Sequence, residues 1–286
     1  VTTAASPQVR QVRVVGHDVR VSVRPAVREP GTEPGIPLLL CNGIGASLDL
    51  LQPFVDEVDP RIEVISFDVP GVGGSPDPLV PYNFAALAWF VGKLLDRLGH
   101  DTYDVLGISW GGGLAQQLAF HNPRRCRRLV LVSTATGSLM VPASPRVLRK
   151  MVTPKRYRDP DYAVRVAAEL YGGRLREDPA RVRELMHDRS RVGSRRGYLL
   201  QLLAGAGWSS LPALPFLRQE TLVLAGLDDP IIPLVNARIM QRLIPRARLR
   251  VYDDGHLGLV TSADTLGPEV SRFLLRNEER VSPSGA

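Results

Sequence analysis

Gly107-Ile108-Ser109-Trp110-Gly111 is the stretch of this chain best equipped for covalent chemistry. A serine with glycines two residues either side has the spacing of a nucleophile elbow. The run Val105–Ile108 before it reads as a buried strand, and Gly113–Phe120 after it reads as a helix. Such a turn lifts a hydroxyl above the sheet edge, and the helix N-terminus behind it favours developing negative charge. A serine nucleophile needs a base, and the base needs an orienting acid. Of the five histidines, His17 falls in a hairpin turn, His100 and His121 at helix ends, and His187 in a charged helix. Only His256, in Asp253-Asp254-Gly255-His256, follows a strand where an open α/β sheet binds ligands. The acid is expected from Asp228 or Asp229, adjacent in the loop after the strand Thr221–Ala225. Asp253 and Asp254 are too close in sequence to reach around the ring of His256, and Asp68 reads as a turn-former before Pro70-Gly71. An oxyanion would be met by the backbone N–H groups of Trp110 and of Ile44, the latter in the Gly-rich loop Asn42–Ser47.

Other chemistries find less support. Neither Gly43–Ser47 nor Gly71–Ser75 carries the Gly-Lys-Ser/Thr of a phosphate loop, and no His/Cys/carboxylate cluster has metal-ligand spacing. No cofactor and no metal is expected. The formal charge of +7 comes almost wholly from arginines spread along the chain, with lysine only at 93, 150 and 155. No nucleic-acid motif accompanies them, so no nucleic-acid partner is expected. No apolar run approaches the roughly 20 residues of a membrane span. Cys41 and Cys126 read as buried free thiols, although one bridge between them stays open.

The elements that must position these groups follow in order. Val9–Val23 alternates as a β-hairpin around Gly16-His17-Asp18. Strands are expected at 38–41, 62–68, 105–108, 128–133, 221–225 and 247–252, and core helices at 48–58, 84–98, 113–120, 235–243 and 263–276. Their alternation predicts a mostly parallel sheet with helices on both faces. From Thr136 to about Leu214 the rhythm breaks into helical patches (161–171, 180–189, 197–206) bounded by prolines. Residues 1–136 and 214–286 therefore read as two parts of one α/β core, and 137–213 as an inserted helical cap. The first residues and the last ten are expected to be loose.

Taken together, Pro37–Leu40, Asp68-x-Pro70-Gly71-x-Gly73-x-Ser75, Gly107-x-Ser109-x-Gly111 and Gly255-His256 resemble the α/β-hydrolase superfamily. Within it, the chain is similar to intracellular depolymerases of medium-chain-length polyhydroxyalkanoates. That resemblance rests on Cys41–Ala46, Gly107–Gly112, Leu114–Gln117, Tyr171-Gly172-Gly173, Ala206–Ser210, Leu224–Gly226 with Asp228–Pro233, and Asp253–Leu257. It runs from about Ile36 to Phe273, cap included, and departs at Gly258, where such enzymes carry a bulkier residue. The resemblance implies a cytoplasmic serine hydrolase that cleaves polyesters of 3-hydroxy acids at polymer granules through an acyl-enzyme. A start at Val1 leaves a removed leader, and so a secreted form, open. The resemblance also implies that the acid is Asp229, completing a triad with Ser109 and His256. The alternative is a carboxylesterase, lactonase or thioesterase on small acyl substrates. Apolar residues of the cap, Trp208 foremost with Met140 and Leu203, are expected to line a channel above Ser109, and Asn42 and Leu257 to touch substrate beside it. A few extra carbons in the acyl group should then matter, because each buried methylene is worth about 0.8 kcal/mol.

Overall fold

The structure, a computed structural model, describes residues 6–27, 35–188 and 191–276. The expectation of a loose C-terminus, the end of the helical patch at Arg189 and most of the Pro/Gly-rich stretch before Pro37 lie outside them. Among the described residues eight strands form one sheet: β1 (Gln8–Val14), β2 (His17–Arg24), β3 (Leu38–Cys41), β4 (Val64–Phe67), β5 (Tyr103–Ile108), β6 (Cys126–Val132), β7 (Glu220–Gly226) and β8 (Ala247–Tyr252). Their order is β1-β2-β4-β3-β5-β6-β7-β8. β2 pairs antiparallel with β1 and β4, and every pair from β4 to β8 is parallel.

The hairpin turns on two residues, Val15 and Gly16, both at positive φ (47° and 78°). This twist matches that of the flanking strands. His17 is therefore the first residue of β2, opposite Val14, and lies outside the turn that the sequence predicts for it.

The central parallel strands are mostly apolar because both of their faces are covered, whereas β8 at the sheet edge alternates half-buried residues with exposed arginines. Leu38, Leu40, Leu106, Ile108, Val130 and Val132 face one buried cluster, while Leu39, Cys41, Val105, Leu129 and Leu131 face the other. The first face is covered by α1 (Gln52–Glu57) and by a terminal helix described below, the second by α2 (Phe84–Leu98) and α3 (Trp110–His121). α1 is shorter than the expected helix 48–58, because Pro53 in its first turn leaves Leu48–Leu51 as a 3₁₀ turn. α3 begins directly at Trp110; the three glycines at 111–113 hide this start from propensity.

Between β6 and β7 the described residues form helices and turns: α4 (Pro145–Met151), α5 (Lys155–Arg158), α6 (Pro160–Tyr171), α7 (Arg174–Glu177), α8 (Arg181–Arg183) and α9 (Arg195–Gly205). A lone bridge between Gly137 and Ser209 draws the two ends of this segment together. α10 (Leu234–Leu243) packs between β7 and β8, and the short α11 (Gly258–Thr261) and α12 (Ala263–Leu275) complete the fold. Strand order reverses at β3, which has β4 on one side and β5 on the other. The carboxyl ends of β3 and β5 therefore flank the crevice where such sheets bind ligands.

Candidate active site

Ser109 sits between β5 and α3 with φ 55° and ψ −122°, a region L-residues rarely enter. Close backbone packing holds it there. A Cβ on Gly107 would lie 2.3 Å from the carbonyl oxygen of Gly111, and one on Gly111 would lie 2.1 Å from that of Cys41. Both glycines of the motif are thus required by the strand–helix crossing. The Ser109 N–H donates to the Val132 carbonyl at 3.0 Å, and the Thr134 hydroxyl donates to the Ser109 carbonyl at 2.7 Å.

His256 follows β8, and its Nε2 lies 3.0 Å from Ser109 Oγ. Its Nδ1 lies 2.9 and 3.1 Å from the two carboxylate oxygens of Asp229. The Asp229 and His256 side chains are 1% and 5% exposed, so their interaction is shielded from water. Asp229 is held in place by accepting the N–H groups of Ile231 and Ile232, both at 2.9 Å. Asp228 points outward to Arg176 and the Gly173 N–H. Asp254, set aside as the acid, organises the histidine loop instead. It accepts from the hydroxyls of Thr261 and Ser262 (2.6 Å each) and from the N–H groups of Gly255 (2.7 Å) and Arg174 (2.9 Å). Burial alone would raise its carboxyl, but those donors hold it below its ordinary range. Asp68 is more than a turn-former. It is fully buried, accepts from the N–H groups of Leu48 (2.6 Å) and Gly74 (2.7 Å), and pairs with Arg20 at 3.3 Å.

The loop after β3 approaches Ser109 closely: a Cβ on Gly43 would lie 3.7 Å from that of Ser109. The N–H groups of Ile44 and Trp110 have no protein acceptor among the described hydrogen bonds. The Asn42 amide is spent on this loop, accepting the Gly43 N–H at 2.8 Å and donating to the Ser47 carbonyl at 2.6 Å. A strained hydroxyl, a histidine, a buried aspartate and two amides beside them are the parts of acyl transfer.

Residues 36–263 match the family model of the alpha/beta hydrolase fold. The chain belongs to the alpha/beta hydrolase family. It is 48% identical over 261 residues to the poly(3-hydroxyalkanoate) depolymerase of Ectopseudomonas oleovorans, an alignment covering 91% of each chain. It is 26% identical to 3-oxoadipate enol-lactonase 2 of Acinetobacter baylyi, over 84% of this chain and 88% of that one. Among solved structures it superimposes on the enol-lactonase of Burkholderia xenovorans with a TM-score of 0.75 and 23% identity, over 93% of this chain and 99% of that one. An esterase of Thermogutta terrifontis gives 0.76 and 22%, over 94% and 98%. At those identities the two structures speak for the fold alone.

In this hydrolase a small pocket of about 30 Å³ lies beside Ser109. Asn42, Ile44 and Leu257 line it from the core, together with Leu50 and Ile231. From the inserted segment come Met151, Arg156, Tyr157 and Tyr171, none of them singled out as lining residues from sequence. Trp208, Met140 and Leu203 are not among the lining residues. The indole N–H of Trp208 needs a buried acceptor and finds the Gln117 side chain at 2.6 Å; its ring packs edge-on against Phe84, with centroids 4.7 Å apart. The neighbouring Ser210 hydroxyl donates to Gln116 at 2.6 Å. The Ala206–Ser210 stretch therefore anchors the insertion to α3. Leu203 is 61% exposed, on the outer side of α9.

The segment between β6 and β7 also grips the loops after β3, β7 and β8. The Tyr171 carbonyl accepts the His256 N–H at 2.7 Å, and added Cβ atoms on Gly172 and Gly173 would each come within 2.0 Å of the Asp228 carbonyl and the Gly255 N–H, respectively. Gln201 on α9 accepts the Gly45 N–H at 2.7 Å through its side chain, and its carbonyl accepts the Trp110 indole N–H at 2.8 Å. The Tyr157 hydroxyl donates to the Ile44 carbonyl at 2.7 Å. The Tyr-Gly-Gly triplet was the one sequence signal for these contacts; Gln201, Tyr157 and Arg156 stand in stretches without a motif. At Gly258 the ring of Tyr252 fills the space a side chain would need, only 2.2 Å from an added Cβ.

Among the described residues no helix is long and apolar enough to cross a membrane, and no cluster of His, Cys, Asp or Glu could hold a metal ion. Wider surface grooves, such as one between β8 and α12, contain none of Ser109, Asp229 or His256.

Proposed function

We propose that this protein is a serine ester hydrolase that cleaves polyesters of 3-hydroxy acids. The observation that carries the chemistry is the line from Asp229 through both nitrogens of His256 to Ser109 Oγ, at 2.9 and 3.0 Å. Ser109 attacks the ester carbonyl while His256 Nε2 takes its proton. Asp229 fixes the Nδ1–H tautomer and stabilises the imidazolium. The N–H groups of Ile44 and Trp110 meet the oxyanion. His256 then protonates the leaving alcohol, and water resolves the acyl-enzyme by the same route.

The substrate class comes from the depolymerase relative, whose likeness spans nearly the whole chain. Residues 137–213 act as a cap in this reading, and a shift of that cap admits an alkyl side chain, because the pocket beside Ser109 is small. The same small cavity favours a second reading, hydrolysis of small esters or lactones, for which the enol-lactonase relative also speaks. A matched assay separates the two. Release of soluble hydroxy acids from medium-side-chain polyester, and faster turnover of p-nitrophenyl esters of roughly C6–C10 than of acetate, is expected for the depolymerase. Best rates on acetate and poly(3-hydroxybutyrate) would leave the serine hydrolase standing without the medium-chain assignment. Work at a polymer granule in the cytoplasm is the expectation carried by the resemblance to intracellular depolymerases, and co-sedimentation with polymer granules tests it.

A further inference from the structure

Arg156 is 1% exposed and lines the same cavity as Ser109 and His256. A buried guanidinium normally finds a carboxylate or a ring of carbonyls, since an unpaired buried charge is costly. The other buried arginines follow that rule. Arg24 donates to the carbonyls of Val55, Val58, Asp59 and Ile62, Arg20 pairs with Asp49 and Asp68, and Arg128 pairs with Glu220. Arg156 has no carboxylate partner among the described residues. It donates to the Tyr198 hydroxyl at 2.9 Å and lies over the rings of Tyr157 and Tyr198, at 4.7 and 5.6 Å from their centroids. Its Nε–H is buried without an acceptor. The two rings soften the cost of the charge and fix its plane, but they supply no anion.

We propose that Arg156 is a binding residue for a substrate carboxylate, so that this hydrolase recognises the free carboxyl end of an oligoester. This rests on the ester-hydrolase reading above. In a 3-hydroxyacyl polyester, two carbons separate the oxygen of the last ester from the terminal carboxylate. In this binding mode the carboxylate sits on Arg156 and the ester carbonyl of the preceding unit is presented to Ser109, which lines the same pocket. Attack breaks the acyl–oxygen bond, His256 returns its proton to the departing alkoxide, and the product leaves as a 3-hydroxy acid. Water then releases the remaining chain as a shortened acid with a new free carboxyl end. The pocket that Arg156 shares with Ser109 and His256 is small, and the alkyl side chains of the oligoester call for the same shift of the cap as in the reading above.

The test compares a dimer of 3-hydroxyoctanoate as the free acid and as its methyl ester. Wild type is expected to show kcat/KM about tenfold higher for the free acid, expressed mainly in KM, as suits a hydrogen bond between charged groups. That ratio should fall towards one in Arg156→Gln and be partly kept in Arg156→Lys. Equal values for the two dimers in wild type, or a ratio unchanged in Arg156→Gln, overturn the proposal. Should Arg156→Gln fail to fold, product inhibition of wild type decides: competitive inhibition by 3-hydroxyoctanoate and not by its methyl ester supports it, and equal effects of the two overturn it. Hydrolysis of p-nitrophenyl octanoate with no carboxyl discrimination sinks this inference alone. Failure to hydrolyse any of these esters removes the hydrolase reading with it.

Discussion

Ser109 Oγ lies 3.0 Å from His256 Nε2 and His256 Nδ1 lies 2.9 Å from Asp229, so in the proposed reaction single atoms should carry most of the rate. Ser109→Ala is expected to lower ester hydrolysis by about 10³-fold or more in a protein that still folds, measured as kcat on a p-nitrophenyl ester. A folded variant keeping more than a tenth of the activity would point to another nucleophile. The two neighbouring carboxylates should separate sharply. Asp229→Asn loses the acceptor that fixes the His256 tautomer and should cost roughly 10²–10⁴-fold. Asp228→Asn loses only a half-exposed pair with Arg176, and its activity should stay within about threefold of wild type. The reverse ranking would mean that the acid has been misassigned by one position. From sequence alone the pair was ambiguous, because alternate residues of a loop carry no periodicity; the resemblance chose Asp229, and the geometry places that side chain against His256.

At the scale of elements, the loops around Ser109 and His256 are held by side chains distant in sequence. Gln201 on α9 ties the loop after β3 to the start of α3. Gln201→Ala leaves the Gly45 N–H unpaired and loosens the placing of the neighbouring Ile44 N–H. A fall in kcat on the order of tenfold with KM little changed is expected, less than the 10²–10³ of deleting an oxyanion donor outright. An unchanged kcat would make Gln201 a packing residue only.

The histidine loop has its own strut in Asp254, whose carboxyl is held below its ordinary range. A depressed folded value stabilises the protein above the unfolded value, near pH 4, and that contribution is lost as pH falls through the folded value. The stability gap between wild type and Asp254→Asn should therefore be widest above about pH 4 and narrow in more acid solution, as urea unfolding at a series of pH values would read. A gap independent of pH would show that the hydroxyl and amide contacts do not depend on the charge.

For the whole molecule, the two sheet faces leave no route for solvent to the cysteines. Cys41 and Cys126 are buried free thiols, and burial pushes both above their usual range. A thiol reagent should find neither in the native protein and both after unfolding. Two thiols missing even in denaturant would reveal a disulfide instead.

Local patterns determined much of this protein from sequence alone. Apolar runs bounded by glycine announced the parallel strands, and the glycines of the elbow announced a serine on a strained turn, since backbone contact there forbids a Cβ whatever surrounds it. The order of serine, acid and histidine along the chain pointed to their meeting. The segment between β6 and β7 was another matter. Its apolar residues Trp208, Met140 and Leu203 looked like a substrate channel, because composition records that a side chain is apolar and not which neighbour buries it. Trp208 went to Gln117 and Phe84, Leu203 to the surface, and the cavity wall fell to Met151, Arg156, Tyr157 and Tyr171. Short helices joined by turns have no sheet to fix their register. Only tertiary packing decided which of their faces looks down on Ser109, and with it that a buried arginine without a carboxylate stands there.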